Sequence, residues 1–343
     1  MSRAVERKIR RRPKLDFDAY REGLFAADRV ILARAISLVE SRKASHRLLA
    51  QALLDAALER SRTLPDAHRI AISGVPGVGK STFIEALGLS LINAGHRVAV
   101  LAIDPSSVRS GGSILGDKTR MEALSARPEA FIRPSPTAGT LGGVAAKTRA
   151  ALHLCEAAGF DVILIETVGV GQSEVSASRI CDSFLALMLA GAGDALQGIK
   201  RGLMEVVDLV AVNKAEGANA IPARRAAATY RGALRHLHGG EGWRPPVLTC
   251  SALNGEGIEA LWEQLQAHRR WAEGSGAWAA RRASQRLSWY DEALRESLEA
   301  RLRALGALDE ELRAAIASGL CSPARAAEEQ LELLLQGAPR SRD

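Results

Sequence analysis

The chain has 343 residues, 47% of them hydrophobic and 25% charged, a globular balance that can bury a large core and is unlike that of disordered or fibrous chains. The formal net charge is +7, yet residues 1–14 carry seven basic side chains against Glu6 alone, so the body is nearly neutral, and the tail lacks the aromatics that would stack on nucleic-acid bases. The longest apolar runs, such as Phe184 to Ala190, are far shorter than a membrane span, no apolar signal core follows Met1, and Cys155, Cys181, Cys250 and Cys321 are not spaced for disulfides or metal, so the expectation is a cytoplasmic protein without membrane or nucleic-acid partners.

After the basic tail, residues 15–65 place Val30, Ile31, Ala35, Leu38, Val39, Leu48, Leu49, Leu53 and Leu58 at helical spacing and predict a helical extension. Residues 66–272 then alternate short strands with amphipathic helices. The predicted strands are Arg69 to Ser73, Arg97 to Ile103, Asp161 to Glu166, Ser183 to Leu189, Leu209 to Asn213 and Pro246 to Cys250. Each is rich in Val, Ile or Leu and followed by a loop and a helical pattern, which predicts an α/β fold with a mainly parallel sheet covered on both faces.

The first strand runs into Gly74-Val75-Pro76-Gly77-Val78-Gly79-Lys80-Ser81 and then a helical run from Thr82 to Leu91. This is the G-x-x-x-x-G-K-[ST] phosphate loop in its strand–loop–helix setting. Its glycines let backbone N–H groups converge on an anion, Lys80 reaches the β- and γ-phosphates, the Ser81 hydroxyl serves Mg²⁺, and the helix N-terminus adds its positive end.

At the end of the strand Asp161 to Ile165, Glu166-Thr-Val-Gly169 reads as an ExxG form of the loop that senses a γ-phosphate, with the Glu166 carboxylate near Mg²⁺ and the Gly169 N–H near the phosphate. Gln172 is the nearest candidate to position the attacking water, but Val170 holds the place directly after Gly169. Slow intrinsic hydrolysis, accelerated by a partner, is the expectation. Asn213-Lys214-Ala215-Glu216 resembles the NKxD guanine reader with Glu216 in place of aspartate, and Ser251-Ala252-Leu253 resembles the loop whose backbone N–H meets the guanine carbonyl oxygen. All stand at strand C-terminal ends, where such sheets bind ligands. GTP is therefore the expected nucleotide, with the longer Glu216 side chain shifting the base contacts.

Residues 275–336 return to helix, with a charged, Leu- and Ala-rich stretch from Ala279 to Leu305 and a break near Ser322-Pro323. Such an amphipathic arm packs on another subunit or on its own domain.

Further motifs make the chain resemble the MeaB/ArgK-type GTPases, metallochaperones associated with methylmalonyl-CoA mutase. They are Asp104-Pro-Ser-Ser107, Gly111 to Met121, Arg133 to Thr137 with Gly139 to Gly143, Glu166 to Glu174, and Gly191 to Lys200. The resemblance spans about residue 20 to 335. It implies a homodimeric GTPase, joined through its C-terminal arm, that attends an adenosylcobalamin-dependent acyl-CoA mutase by gating cofactor loading and protecting or reactivating the mutase. It implies that Ser81, Asp104, Asp117 and Glu166 surround Mg²⁺, directly or through water, with Asp104 among the catalytic groups. Lys118, Arg120 and Met121 would belong to a first switch, Glu166 to Glu174 to a second, and Asp194 to Lys200, with Gln197 and Lys200, to a third that meets the mutase. No cofactor beyond Mg²⁺ and GTP or GDP is implied. Taken by themselves, Asp104 and Asp117 also fit solvated turns, and Lys200 fits a helix surface. A nickel- or zinc-inserting GTPase would need a soft-ligand cluster that the seven histidines and four cysteines do not form at ligand spacing. An ATP-dependent kinase of transport-binding proteins would need an adenine pocket and a phosphoacceptor, and a nucleotide-binding scaffold would bind without turnover.

Overall fold

The computed structural model describes residues 15–41, 43–103, 121–133, 141–167, 177–191, 201–237, 242–304 and 310–335. They divide into two compact units, Met1–Arg286 and Leu287–Asp343.

The first unit opens with α1 (Phe17–Phe25), α2 (Arg29–Val39) and α3 (Ala44–Ser61). Two of these helices start where an aspartate can satisfy the first free N–H groups: Asp16 accepts from Ala19 N at 2.9 Å, and Asp28 from Val30 N at 2.7 Å. The α/β part follows as β1 (His68–Gly74), α4 (Lys80–Asn93), β2 (Val98–Ile103), α5 (Glu122–Ser125), β3 (Ala130–Arg133), α6 (Leu141–Ala157), β4 (Val162–Thr167), β5 (Ser183–Leu189), α7 (Arg201–Val206), β6 (Leu209–Asn213), a 3₁₀ turn at Gly217–Asn219, α8 (Ala220–Leu237), β7 (Val247–Thr249) and α9 (Ile258–Gly274). The six predicted strands appear within a residue or two of their expected limits, and β3 is an addition.

Among the described residues the strands form one sheet in the order β3-β2-β4-β1-β5-β6-β7, with parallel pairing throughout. Every residue of β1 is buried, as expected of a parallel strand covered on both faces. Phe83, Ile84, Leu87 and Leu91 of α4 pack with Ile70, Ile72, Val100 and Leu164 of the sheet and Leu261 and Leu265 of α9. The helical extension is tied to β3 and to the turn before it, since Arg133 pairs with Glu40, just after α2, at 2.6 Å and Arg29 donates to the Arg127 and Ser125 carbonyls at 3.0 and 3.2 Å.

The N-terminal end of the sheet is closed by buried polar groups. Ser183 Oγ lies 2.7 Å from His68 Nε2 and 2.7 Å from His268 Nδ1, while His268 Nε2 meets Asp208 at 3.3 Å. Asp208 also accepts from Phe184 N at 2.9 Å and from both terminal nitrogens of Arg281, at 2.9 and 3.2 Å. Arg282 donates to both oxygens of Asp182, at 2.9 and 2.7 Å. These arginines stand on α10 (Ala277–Ala304), and α11 (Glu310–Ala317) and α12 (Pro323–Leu335) follow. Pro323 occupies the first helical position, where its missing N–H removes no intrahelical bond. From Leu287 to Leu298 the second unit exposes Leu287, Tyr290, Leu294 and Leu298, spaced to share one helix face.

Candidate functional site

The C-terminal ends of β1, β4, β6 and β7 carry four of the loops singled out in the sequence. Strand β1 ends at Gly74, where a Cβ would stand 2.4 Å from the Leu187 carbonyl oxygen of β5. No side chain fits there, so the loop can leave the sheet close to its neighbour. Val75, Pro76 and Gly77 are exposed while Val78 is buried in the core, which pins the loop from below. Gly79 adopts φ 91° and leads into α4, a left-handed conformation that glycine takes without steric cost. Phe83 N donates to Gly79 O at 2.9 Å and starts the helix, leaving the earlier N–H groups pointing outward as an anion site.

Lys80 lies back over its own loop, with Nζ donating to Gly74 O at 2.7 Å and Val75 O at 3.3 Å. Ser81 Oγ donates to Glu166 Oε1 at 3.1 Å. Glu166 sits opposite Ile72 on one side and Ala102 on the other in the parallel register of β4, and that register sets the carboxylate beside the start of α4. A hydroxyl and a carboxylate in contact at the rim of a phosphate loop are oxygen donors suited to Mg²⁺. Among the described residues no three His, Cys, Asp or Glu side chains gather into a metal cluster.

Asn213 is almost fully buried and joins the loops together. Its Nδ2 donates to Val78 O at 2.8 Å, and its Oδ1 accepts from Ala252 N at 3.0 Å. A Cβ on Gly79 would come 3.0 Å from that Nδ2, so the amide passes directly beneath the phosphate loop. This cross-linking role is one the motif reading did not assign, because it depends on where β6 lies relative to β1. Lys214 holds φ 60°, and its carbonyl accepts from Asn219 Nδ2, which steadies a strained turn. Ala215 N donates to Cys250 O at 3.0 Å, linking this loop to the end of β7. Ser251 N donates to Glu256 O at 2.9 Å and Ser251 Oγ accepts from Asn254 N at 3.1 Å, which closes the third loop.

Glu216 Oε2 is buried and has no hydrogen-bond partner. A buried acceptor left in this state is costly, and the pair of N–H donors on a guanine edge matches it chemically. Burial, and then the nearby Glu216 charge, push the Cys250 thiol up to about 12. Cys250 is therefore a neutral packing residue and no nucleophile at neutral pH.

The structure thus brings Gly74 to Thr82, Glu166, Asn213, Lys214, Glu216 and Ser251 to Leu253 to one end of the sheet. Asp104, Asp117, Lys118, Arg120, Gly169, Gln172, Asp194, Gln197 and Lys200 lie outside the described residues. Also among those described, no helix is long and apolar enough to cross a membrane.

Comparison with known proteins agrees with this arrangement. The family model described as methylmalonyl Co-A mutase-associated GTPase MeaB matches residues 32–307. A Mycobacterium tuberculosis protein named as a probable GTPase is 52% identical over 313 residues, covering 89% of this chain and 91% of that protein. The mouse methylmalonic aciduria type A homolog, mitochondrial, is 46% identical over 317 residues, covering 89% of this chain and 76% of that protein. A crystal structure described as an LAO/AO transport system kinase superposes with a TM-score of 0.71 at 35% identity, covering 93% of this chain and 97% of that one. On the match over residues 32–307, and with the phosphate loop, Glu166 and the Asn213 and Ser251 loops assembled at one sheet end, the chain belongs to the MeaB family of methylmalonyl-CoA mutase-associated GTPases, and its reaction is the hydrolysis of GTP.

Proposed function

We propose that this GTPase serves as a nucleotide-dependent gate for an adenosylcobalamin-dependent acyl-CoA mutase, governing cofactor loading and protecting or reactivating the mutase. The family description and the name of the mouse relative, which refers to methylmalonic aciduria, support this client. The observation that carries the guanine part of the reading is the buried, unpartnered Glu216 Oε2 at the strand end beside the phosphate loop. Its carboxylate accepts from the guanine imino and amino groups. The Ala252 N–H is already used by Asn213, so the Leu253 N–H is the donor left in that loop for the guanine carbonyl oxygen. Adenine offers the opposite pattern at both places.

In the cradle, the backbone N–H groups of Gly77 and of Gly79 to Ser81 bind and orient the phosphates, since Pro76 has no N–H and that of Val78 donates to Val75 O at 3.2 Å. Lys80 exchanges the Gly74 and Val75 carbonyls for phosphate oxygens, which keeps the ammonium hydrogen-bonded in both arrangements. Ser81 and Glu166 would hold Mg²⁺, together with Asp104 and Asp117. When bound, the metal supplies positive charge against the β- and γ-oxygens. Gln172 is the chain's own candidate for orienting water. Its offset position fits slow turnover that a partner accelerates by roughly 10³–10⁵.

The exposed stripe of Leu287, Tyr290, Leu294 and Leu298 fits pairing of the C-terminal arm with a second copy of the chain. Three of the four cysteines are buried free thiols, which fits a reducing cytoplasm. The test is calorimetric titration with Mg²⁺-GTP and Mg²⁺-ATP, followed by single-turnover hydrolysis with and without a cobalamin-dependent mutase. GTP is expected to bind at least about tenfold tighter, and the mutase to raise the rate. Equal affinity for ATP would overturn the base assignment, and an unchanged rate with no retained mutase would overturn the client.

A further inference from the structure

A cavity of about 410 Å³ opens at the N-terminal ends of β5 and β6, within the roughly 300–1,000 Å³ of small-molecule sites. It is separated from the nucleotide loops by the length of β5, roughly 20 Å at about 3.3 Å per residue. Its walls include Phe184, Val206, Trp243, Pro245, Trp271 and Arg281. The two indoles stand 5.7 Å apart at 42°. Both are fixed from behind: Trp243 Nε1 donates to Asp208 O at 2.7 Å, and Trp271 stacks on His268 at 5.9 Å. Together they form an angled apolar wall, held in place on its far side, against which a ring can pack.

Arg281 gives this wall its polarity. The Nη1–Nη2 end of its guanidinium is occupied, donating to both oxygens of Asp208 and, from Nη1, to Asp182 O. Among the described residues, the Nε–H and the second N–H of Nη2 carry no hydrogen bond, and these two lie parallel on the other edge of the plane. The side chain is 39% exposed and lines the cavity. An open guanidinium edge with two parallel donors matches a carboxylate. Asp208 does not compete for a cation. It is buried, and it already accepts four donors, from Phe184 N, His268 and the two Arg281 nitrogens. Glu205, on the exposed rim, is the one other carboxylate lining the cavity among the described residues.

We propose that this cavity is a binding site for a small aromatic carboxylate, with the ring against Trp243 and Trp271 and the carboxylate on the Nε–Nη2 edge of Arg281. Because the cavity is remote from the phosphate loop, binding is independent of nucleotide and of the guanine reading above. The experiment titrates the isotope-labelled full chain with indole-3-acetate, indole and tryptamine, with and without GDP, following the indole N–H resonances. The resonances of Trp243 and Trp271 are expected to move saturably with indole-3-acetate, and that affinity to exceed those of indole and tryptamine by about tenfold or more. Arg281→Lys, which keeps the charge and loses the fork, should remove most of that preference, and Val206→Trp, which fills the cavity, should abolish binding in a chain whose thermal melt shows it folded. Tryptamine binding as tightly as indole-3-acetate, no shift at Trp243 and Trp271, or undiminished binding by Val206→Trp would each overturn the proposal.

Discussion

Asn213 Nδ2 donates to the Val78 carbonyl oxygen at 2.8 Å and thereby ties the end of β6 to the phosphate loop. The same side chain accepts from Ala252 N at 3.0 Å, so one buried amide holds three loops in register. Replacing it with alanine strands a carbonyl and an N–H in the interior, each costing about 1–3 kcal/mol. Asn213→Ala is therefore expected to lower the urea midpoint and to weaken GDP and ATP alike, because the cradle loosens whichever base is present. Equal stability and unchanged GDP affinity would show that the loops hold their positions without it.

The strands that place these loops were readable because each is a short apolar run bounded by turn residues. Ser183 to Leu189 and Leu209 to Asn213 coincide with β5 and β6. Strand β3 was not readable. Ala130–Arg133 is four residues long, ends in a charge and follows Pro128 closely, so only its parallel pairing with β2 identifies it. The loops that gather at the C-terminal end of the sheet, at Gly74 to Ser81, Glu166, Asn213 to Glu216 and Ser251 to Leu253, stood out in the sequence because each motif is carried by local spacing. The Asn213 cross-link and the cavity at the other end were not. His68, Ser183, Asp208, His268 and Arg281 are unremarkable in their own segments, and it takes the start of three parallel strands and two helices to bring them together.

Gly74 illustrates a site where backbone approach, not side-chain chemistry, sets the requirement. A Cβ there meets the Leu187 carbonyl oxygen at 2.4 Å, and that oxygen belongs to a paired strand that cannot yield freely. Gly74→Ala is expected to separate β1 from β5 and cost about 1–3 kcal/mol of stability, with loss of nucleotide capture. A variant that melts and binds GDP like the parent chain would contradict the close packing of these two strands.

Lys80 stands on the same loop with a different consequence. Its ammonium is hydrogen-bonded to two loop carbonyls and partly exposed, so Lys80→Ala should leave the fold largely intact. Nucleotide affinity should drop by roughly a hundredfold, since two charge-assisted contacts to phosphate are lost, and turnover should disappear. Unchanged capture and hydrolysis by this variant would overturn the assignment of Gly74 to Ser81 as the phosphate loop.

Glu216→Gln tests the base reader without disturbing the cradle. The buried Oε2 becomes an amide nitrogen that offers donors where guanine also offers donors. GTP affinity is expected to fall by about tenfold to several hundredfold while ATP affinity stays level, which competition titrations would read directly. A parallel loss for both nucleotides would mean that Glu216 shapes the loop and does not contact the base.

Acid should destabilise the chain in two windows, and the buried network at the N-terminal end of the sheet accounts for both. Burial foremost, then the electrostatic influence of Arg269, His268 and Arg282, holds His68 well below the ordinary histidine range, with Asp208 opposing. The unfolded chain protonates this histidine near roughly pH 6.5, and the folded chain does not. The unfolded state then binds more protons, so stability falls as pH drops below about 6.5, by up to about 1.4 kcal/mol per pH unit. The second window is lower. Burial pushes the Asp208 carboxyl up, but hydrogen bonds from His268 and Arg281 outweigh it and hold it at about 2. Glu156 is likewise brought to about 2, with burial opposed by hydrogen bonds and charge from His153 and Arg69. The stability these depressed carboxylates contribute is complete above their unfolded values of roughly 4 and is lost as pH falls toward 2. His68→Gln keeps a hydrogen-bonding amide within reach of Ser183 Oγ and removes the titrating ring. Urea melts at several pH values should show the slope between pH 5 and 6.5 flattened in His68→Gln, and the loss below pH 4 unchanged. An identical slope in parent and variant would mean that His68 takes up its proton in the folded chain as readily as in the unfolded one.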